Sequence, residues 1–300
     1  MRRILLPLVL APALLLPACN LESQARVDSI HRMNEGVKQY KKNNLGGAEQ
    51  ALKEAIKIDP TNHKAHEALG TLMRKQERWA DAAAAYQSAL ENVGESNAGK
   101  YHYELGLVQV KLAHGEGVTR QVFEQKATEA IASFDKALQA DPTLYRAHHQ
   151  SGRLYEELDQ PEKADQSYRK SIEINGAYTA PLVDLGGMYI DYGFSNVAMA
   201  VLEAGTQANP TDAGVWKGLG EAKQNLNKTK EAIEAYTKAT KIDPDMADVY
   251  FSLGMAYAEL RMKEEATEAL ETFLKKGSGT SPQHTLKAAQ DTIARMDDPI

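Results

Sequence analysis

A 34-residue period runs through this chain and leaves few folds open to it. Glycines recur at Gly36, Gly70, Gly106, Gly152, Gly186, Gly220 and Gly254, with spacings of 34, 36, 46, 34, 34 and 34. Alanines recur in register at Ala48, Ala82, Ala130, Ala164, Ala198, Ala232 and Ala266. Pro142, Pro210 and Pro244 fall in the same frame, 68 and 34 apart. A repeat of this length marks a stack of supersecondary units, each burying its apolar face against its neighbours.

Within a period, apolar residues step by three and four, as in Trp216, Leu219, Ala222 and Leu226, then Ala232, Tyr236 and Ala239. That spacing predicts two helices per unit, with a turn at Asn227-Lys228 and a stop at Asp243-Pro244. The small Gly and Ala allow two helix backbones to approach. The residue four after each alanine (Leu52, Tyr86, Phe134, Tyr168, Leu202, Tyr236, Leu270) is large and fills the space beside them.

The pattern W-x₂-L-G-x₂-Y followed by A-x₃-F-x₂-A and P resembles the tetratricopeptide repeat, TPR. Trp216, Leu219, Gly220, Ala232, Tyr236, Ala239 and Pro244 carry it in one unit, and Leu69, Gly70, Ala82, Tyr86 and Ala89 in another. The resemblance implies an all-α fold, a right-handed α-solenoid of seven helix-turn-helix units. Their expected bounds are 29–62, 63–96, 99–144, 145–178, 179–212, 213–246 and 247–276. A loop and capping helix, with Leu286, Ala289, Ile293 and Met296 on one face, are expected over 277–300. The third unit is twelve residues over length between its helices, around 114–126. It reads either as a longer second helix or as a projecting knob that docks a partner.

Ahead of the repeats lies a different kind of segment. Residues 1–3 are basic-tipped and 4–17 are an unbroken apolar run, ILLPLVLAPALLLP. Fourteen residues suit a signal-peptide core and fall short of the ~20 that span a bilayer as a helix. Leu16-Pro17-Ala18-Cys19 then resembles the lipobox of bacterial lipoproteins, and Cys19 is the chain's one cysteine. The resemblance implies a signal peptide over 1–18, removal of which leaves Cys19 as a terminus carrying fatty acyl (palmitate) chains. Residues 19–28 are expected as a short linker, extended by up to ~35 Å. Asn20, rather than Asp, tilts the destination towards the outer membrane, on its periplasmic face.

Charge and composition exclude more than they assign. A net charge of −6 argues against nucleic-acid binding, and a single cysteine rules out intrachain disulfides and Cys-cluster metal sites. His63 and His66 lack an evident third metal ligand, and Ser133-x-x-Lys136 and Ser167-x-x-Lys170 lie mid-helix without the companion motifs of a Ser nucleophile. No catalytic residue, metal or cofactor is expected, and the chain reads as no enzyme.

In TPR proteins the concave groove is lined by the second, fifth, ninth, twelfth and thirteenth positions of each first helix. Carried over, those positions place Met33, Val37, Tyr40, Lys41, Lys64, Arg74, Lys75, Lys100, Tyr103, Leu107 and Lys111 in the first repeats. Arg146, Arg153, Glu156, Glu157, Val183, Ile190, Asp191, Lys217, Glu221, Asp248, Phe251, Met255 and Glu259 follow in the later ones. The groove is expected to be basic early and acidic late. The Lys/Asn/Arg clamp of the cytosolic-chaperone type is missing, its positions being held by Met33, Val37, Ala68 and Glu104. The implied function is a membrane-anchored scaffold that binds a protein or extended peptide of the cell envelope. Its complex would be motility machinery (type IV pilus secretin assembly or gliding), or else it would regulate peptidoglycan-processing enzymes.

Overall fold

The computed structural model describes residues 18–297, the side chains of 18–23, 95–97 and 297 excepted. The signal-peptide reading of 1–18 and the side chain of Cys19 therefore fall almost wholly outside the described residues. Those residues form fifteen α-helices and no strand. The chain divides into two compact units, residues 1–141 and 142–300.

The first unit holds three helical hairpins. These are α1 (Ala18–Lys41) with α2 (Leu45–Ile58), α3 (His63–Lys75) with α4 (Trp79–Glu91), and α5 (Glu95–Ala113) with α6 (Arg120–Ala140). The second holds four: α7 (Tyr145–Glu157) with α8 (Pro161–Ile174), α9 (Ala180–Asp191) with α10 (Ser195–Ala208), α11 (Ala213–Asn225) with α12 (Thr229–Ile242), and α13 (Ala247–Glu259) with α14 (Lys263–Gly277). A fifteenth helix, α15 (Gln283–Asp297), covers the open end of the last hairpin.

One contact, repeated seven times, sets the distance between paired helices. A Cβ built on Gly36 would meet Leu52 at 2.7 Å, and one on Gly152 would meet Tyr168 at 2.6 Å. Gly70 faces Tyr86, Gly106 Phe134, Gly186 Leu202, Gly220 Tyr236 and Gly254 Leu270 in the same way. These large side chains are fully buried. The periodic glycines are thus steric: the ring or leucyl group of the second helix occupies the place of the missing Cβ.

Two punctuation devices recur. Within hairpins, the chain passes through the left-handed region at Asn43, Glu77, Asp159, Gly193, Asn227 and Arg261. Between hairpins, Asp59, Asn175, Asn209 and Asp243 end a helix in extended or near-extended backbone. Each accepts, through its side-chain oxygen, the N–H of the residue two further on. That Asx turn, with Pro following three of them, supplies a fixed corner from one repeat to the next.

Two expectations need correction. Residues 19–28 are not an extended linker; they continue α1, which has no Gly or Pro before Gly36 to stop it. At 1.5 Å per residue the stretch from Cys19 to Ser29 is about 15 Å long. In the third hairpin, α5 starts at Glu95 rather than at 99. Against the second hairpin, the twelve extra residues place two on the end of α5, three in the loop and seven on the start of α6. They lengthen the helices and form no separate knob.

Candidate functional site

In the second unit, α7, α9, α11 and α13 stand side by side on one face, in the arrangement the repeat period dictates. Their exposed positions surround an open groove of about 670 Å³. Val183, Met188 and Met246 supply its apolar floor, Gly214 and Gly218 also line it, and Gly187 leaves space above it. Around the floor stand Glu156, Glu157, Asp184, Asp191 and Glu221 against two cations, Arg153 and Lys217.

The cations are already engaged. Arg153 Nε lies 3.9 Å from Asp184 Oδ2, and Lys217 bonds Asp248 and lies 3.8 Å from Glu221. Asp184 also accepts from the buried His149 Nε2 at 2.8 Å, whose Nδ1 meets the Tyr178 hydroxyl at 2.9 Å. Glu156 accepts the Tyr168 hydroxyl at 2.6 Å. Asp191 makes no ion pair or hydrogen bond among the described residues.

Burial raises the Glu156 and Glu221 carboxyls above the ordinary value; the Tyr168 hydrogen bond at Glu156 and Lys217 at Glu221 oppose it in part, and the nearby carboxylates add to it. Asp191 contributes to both shifts, so it lies within electrostatic reach of both groups. Burial pulls the Lys217 ammonium down, but Asp248 and Glu221 together outweigh it and the net shift is upward. The groove carries more negative charge than its own cations neutralise.

Seven of the expected groove residues, Arg153, Glu156, Glu157, Val183, Asp191, Lys217 and Glu221, are brought together here. Asp248 pairs with Lys217, and Arg146 stacks over Tyr145 and Tyr178 at 5.2 and 6.0 Å. Ile190 packs partly into the core between α9 and α11. Phe251 packs under α15, 5.1 Å from Phe273, whereas Met255 packs partly into the same cluster and also lines a second open pocket beside α15. Glu259 lies beside that cap, accepting from Thr229 at 3.0 Å. Asp184, which the position rules do not select, also lines the groove, as does Gly187. Gly187 does occupy a ninth position, but a glycine offers no side chain to read.

In the first unit the expected basic character is reduced by pairing. Arg74 bonds Glu104, Lys100 bonds Glu67, and Lys75 Nζ donates to Asn43 at 2.9 Å while lying over the Tyr40 ring. Lys41, Lys64 and Lys111 stay exposed. Met33 and Tyr40 pack against the core, Val37 and Leu107 are half-buried, and Tyr103 sits 5.9 Å from Phe134.

The chemically suggestive residues have structural partners. Ser133 Oγ donates to Gln109 at 2.6 Å, His63 Nδ1 meets the Tyr101 hydroxyl at 2.7 Å, and His66 Nε2 donates to the Pro60 carbonyl at 2.9 Å. Among the described residues no group of three His, Cys, Asp or Glu is placed to hold a metal ion. No described helix is long and apolar enough to cross a membrane.

Comparison with known proteins gives the same repeat. Tetratricopeptide-repeat models match residues 33–97 and 67–145, then 145–178 and 247–275, and another covers 225–260. Superkiller complex protein 3 of Mus musculus is 26% identical over 241 residues, which is 67% of this chain and 15% of the relative. Tetratricopeptide repeat protein 37 of Xenopus laevis is 26% identical over 212 residues, 58% of this chain and 13% of the relative. The chain therefore spans less than a fifth of the length of these relatives. Among solved structures, a TPR protein of Cytophaga hutchinsonii superposes with TM-score 0.66 at 16% identity, over 87% of this chain and 99% of that one. One from Parabacteroides merdae gives 0.61 at 18%, over 89% and 99%. Pseudomonas aeruginosa PilF gives 0.53 at 20%, over 68% and 90%. The repeat-length period, the glycine contacts and these matches agree: the chain belongs to the tetratricopeptide repeat family.

Proposed function

We propose that this chain is a non-catalytic adaptor of the cell envelope that holds a protein or peptide partner in the groove of its repeats. The observation that carries the binding reading is the open groove of the second unit, whose acidic side chains exceed its cations. Side chains held this way, on rigid helices and around an apolar floor, suit recognition of an extended segment. The envelope reading rests on residues 4–19, an apolar run of signal-peptide length ending in Leu16-Pro17-Ala18-Cys19. Two or three acyl chains on Cys19 would hold the protein on a membrane stably, where one would not. Confinement then raises the effective concentration of a partner in the same membrane. The complex it serves is motility machinery of the outer membrane.

The test is a crosslinked pull-down from membranes of the native host, comparing the wild type with Cys19→Ala and with Asp191→Asn/Glu221→Gln. The expected result is an envelope partner that is lost with the groove variant, and a protein that leaves the membrane fraction with Cys19→Ala. A partner retained by the groove variant overturns the groove reading. An unchanged membrane fraction for Cys19→Ala overturns the anchor. The captured partner's identity separates motility machinery from peptidoglycan-processing enzymes.

A further inference from the structure

Gly186 and Gly187 are adjacent in the middle of α9, yet only one of them is explained by packing. A Cβ on Gly186 would meet Leu202 at 2.7 Å, whereas one on Gly187 would meet nothing within 4 Å. A glycine inside a helix costs about 0.5–1 kcal/mol relative to alanine. At Gly187 no core contact offsets that cost. The residue lines the groove, and its missing side chain leaves the α9 backbone open to whatever lies there.

What lies there must also answer the charge. Five carboxylates and two cations line the groove, and both cations are held by carboxylates of the same unit. Glu156 and Glu221 are ionised at a cost, because burial and the neighbouring carboxylates outweigh the Tyr168 hydrogen bond to Glu156 and the Lys217 charge beside Glu221. An incoming cation relieves that cost, and an incoming anion adds to it. The floor of Val183, Met188 and Met246 suits a long aliphatic stem whose charged end reaches a polar rim.

We propose that the groove of the second unit binds an extended peptide segment bearing a lysine or arginine side chain, which passes over Gly187 and is met by Asp191, Glu156 and Glu221. This deepens the adaptor reading and rests on it. The backbone of the segment lies against α9, where Gly187 admits it, and the aliphatic stem covers the apolar floor. Its chemistry is opposite to that of a clamp built from lysines and arginines for a terminal carboxylate.

The experiment is fluorescence anisotropy on the full chain with three labelled probes of one length: a lysine-alanine peptide, its glutamate-alanine counterpart and a serine-alanine counterpart. Near neutral pH and at low salt, the lysine probe is expected to bind at least about tenfold more tightly than the glutamate probe, a difference of ~1.4 kcal/mol. Asp191→Asn/Glu221→Gln should weaken that binding by about tenfold and flatten its salt dependence. Gly187→Leu should abolish it, while Gly187→Ala, which keeps the helix, verifies folding by circular dichroism. Binding should also weaken as the pH falls and the raised Glu156 and Glu221 carboxyls take up protons. Equal binding of the lysine and glutamate probes, or indifference to Asp191→Asn/Glu221→Gln, overturns the proposal.

A charge-unbiased peptide array separates this proposal from the reading beneath it. Binders that are not basic but are lost with Gly187→Leu leave the groove in place and remove the cationic class. Binders indifferent to Gly187→Leu, or no binder at all, remove both.

Discussion

Three glycines within eight residues of each other illustrate how one residue type serves three physical ends. Gly186 has no room for a Cβ, so Gly186→Ala must push Leu202 aside and is expected to cost about 1–3 kcal/mol. Gly187 has room and helical backbone, so Gly187→Ala is expected to stabilise by about 0.5–1 kcal/mol. Gly193 has room but φ of +78°, so Gly193→Ala meets only the backbone penalty, about 1 kcal/mol. Urea unfolding of the three single variants checks the order, and a stable Gly186→Ala protein would refute the packing account. The groove carboxylates make a second prediction at this scale. Glu221 has a raised carboxyl in the fold, so the folded chain holds that proton more firmly than the unfolded chain. Stability is therefore lost as the pH rises from the ordinary glutamate range through the raised value. Glu221→Gln removes that loss: its unfolding midpoint should exceed wild type near neutral pH. The gain should vanish at a pH below the ordinary glutamate range, which paired denaturation curves would show.

At the scale of the element, features that repeat are legible in the sequence and features that do not repeat are harder to read. The hairpins, their glycine–large-residue contacts and the capping helix follow from periodic spacing, because a period constrains every unit at once. The Asx turns at the helix stops are seen only in the structure: Asn209 accepts the Thr211 N–H at 3.2 Å and hydroxyl at 2.8 Å, and Asn209→Ala is expected to cost about 1 kcal/mol in thermal unfolding. The length of α1 is hidden in the sequence because no glycine, proline or cap separates residues 19–28 from the first repeat. The groove is half legible. Position rules find Arg153, Glu156, Glu157, Asp191, Lys217 and Glu221, since each is charged and sits where first helices face outward. They do not show that Arg74 and Lys100 are spent on Glu104 and Glu67, because pairing between neighbouring helices depends on side-chain reach rather than on period. They also count Phe251 as groove surface, although the capping helix is itself legible, because its path across α13 is a matter of packing.

For the whole molecule, the decisive feature is that an array of nearest-neighbour contacts must be closed at its ends. The second unit contains its own closure. Leu270 and Phe273 on α14 are fully buried, and α15 covers them with Leu286, Ala289 and Ile293, while Phe251 and Met255 pack into the same cluster. Each hairpin in this unit has a neighbour that buries its apolar face, and four hairpins exceed the ~3 repeats such arrays need for stability. A fragment of residues 142–300 is therefore expected to fold by itself, with strongly helical circular dichroism and a cooperative melt. Truncating it to 142–277 uncovers Leu270 and Phe273. Exposing large apolar side chains costs ~1.5–3 kcal/mol each when complete, so a partial exposure of both is expected to remove about 2–4 kcal/mol. The groove lies upstream of the cap, on α7, α9 and α11, so a truncated fragment that remains folded should still bind the lysine probe. Comparing the two fragments by urea titration and by anisotropy separates the roles. A loss of stability with binding retained assigns α15 to closure of the array, whereas loss of binding in a folded 142–277 would make the cap part of the site. Equal stability of the two fragments would show that the last hairpin needs no cover, against the burial of Phe273.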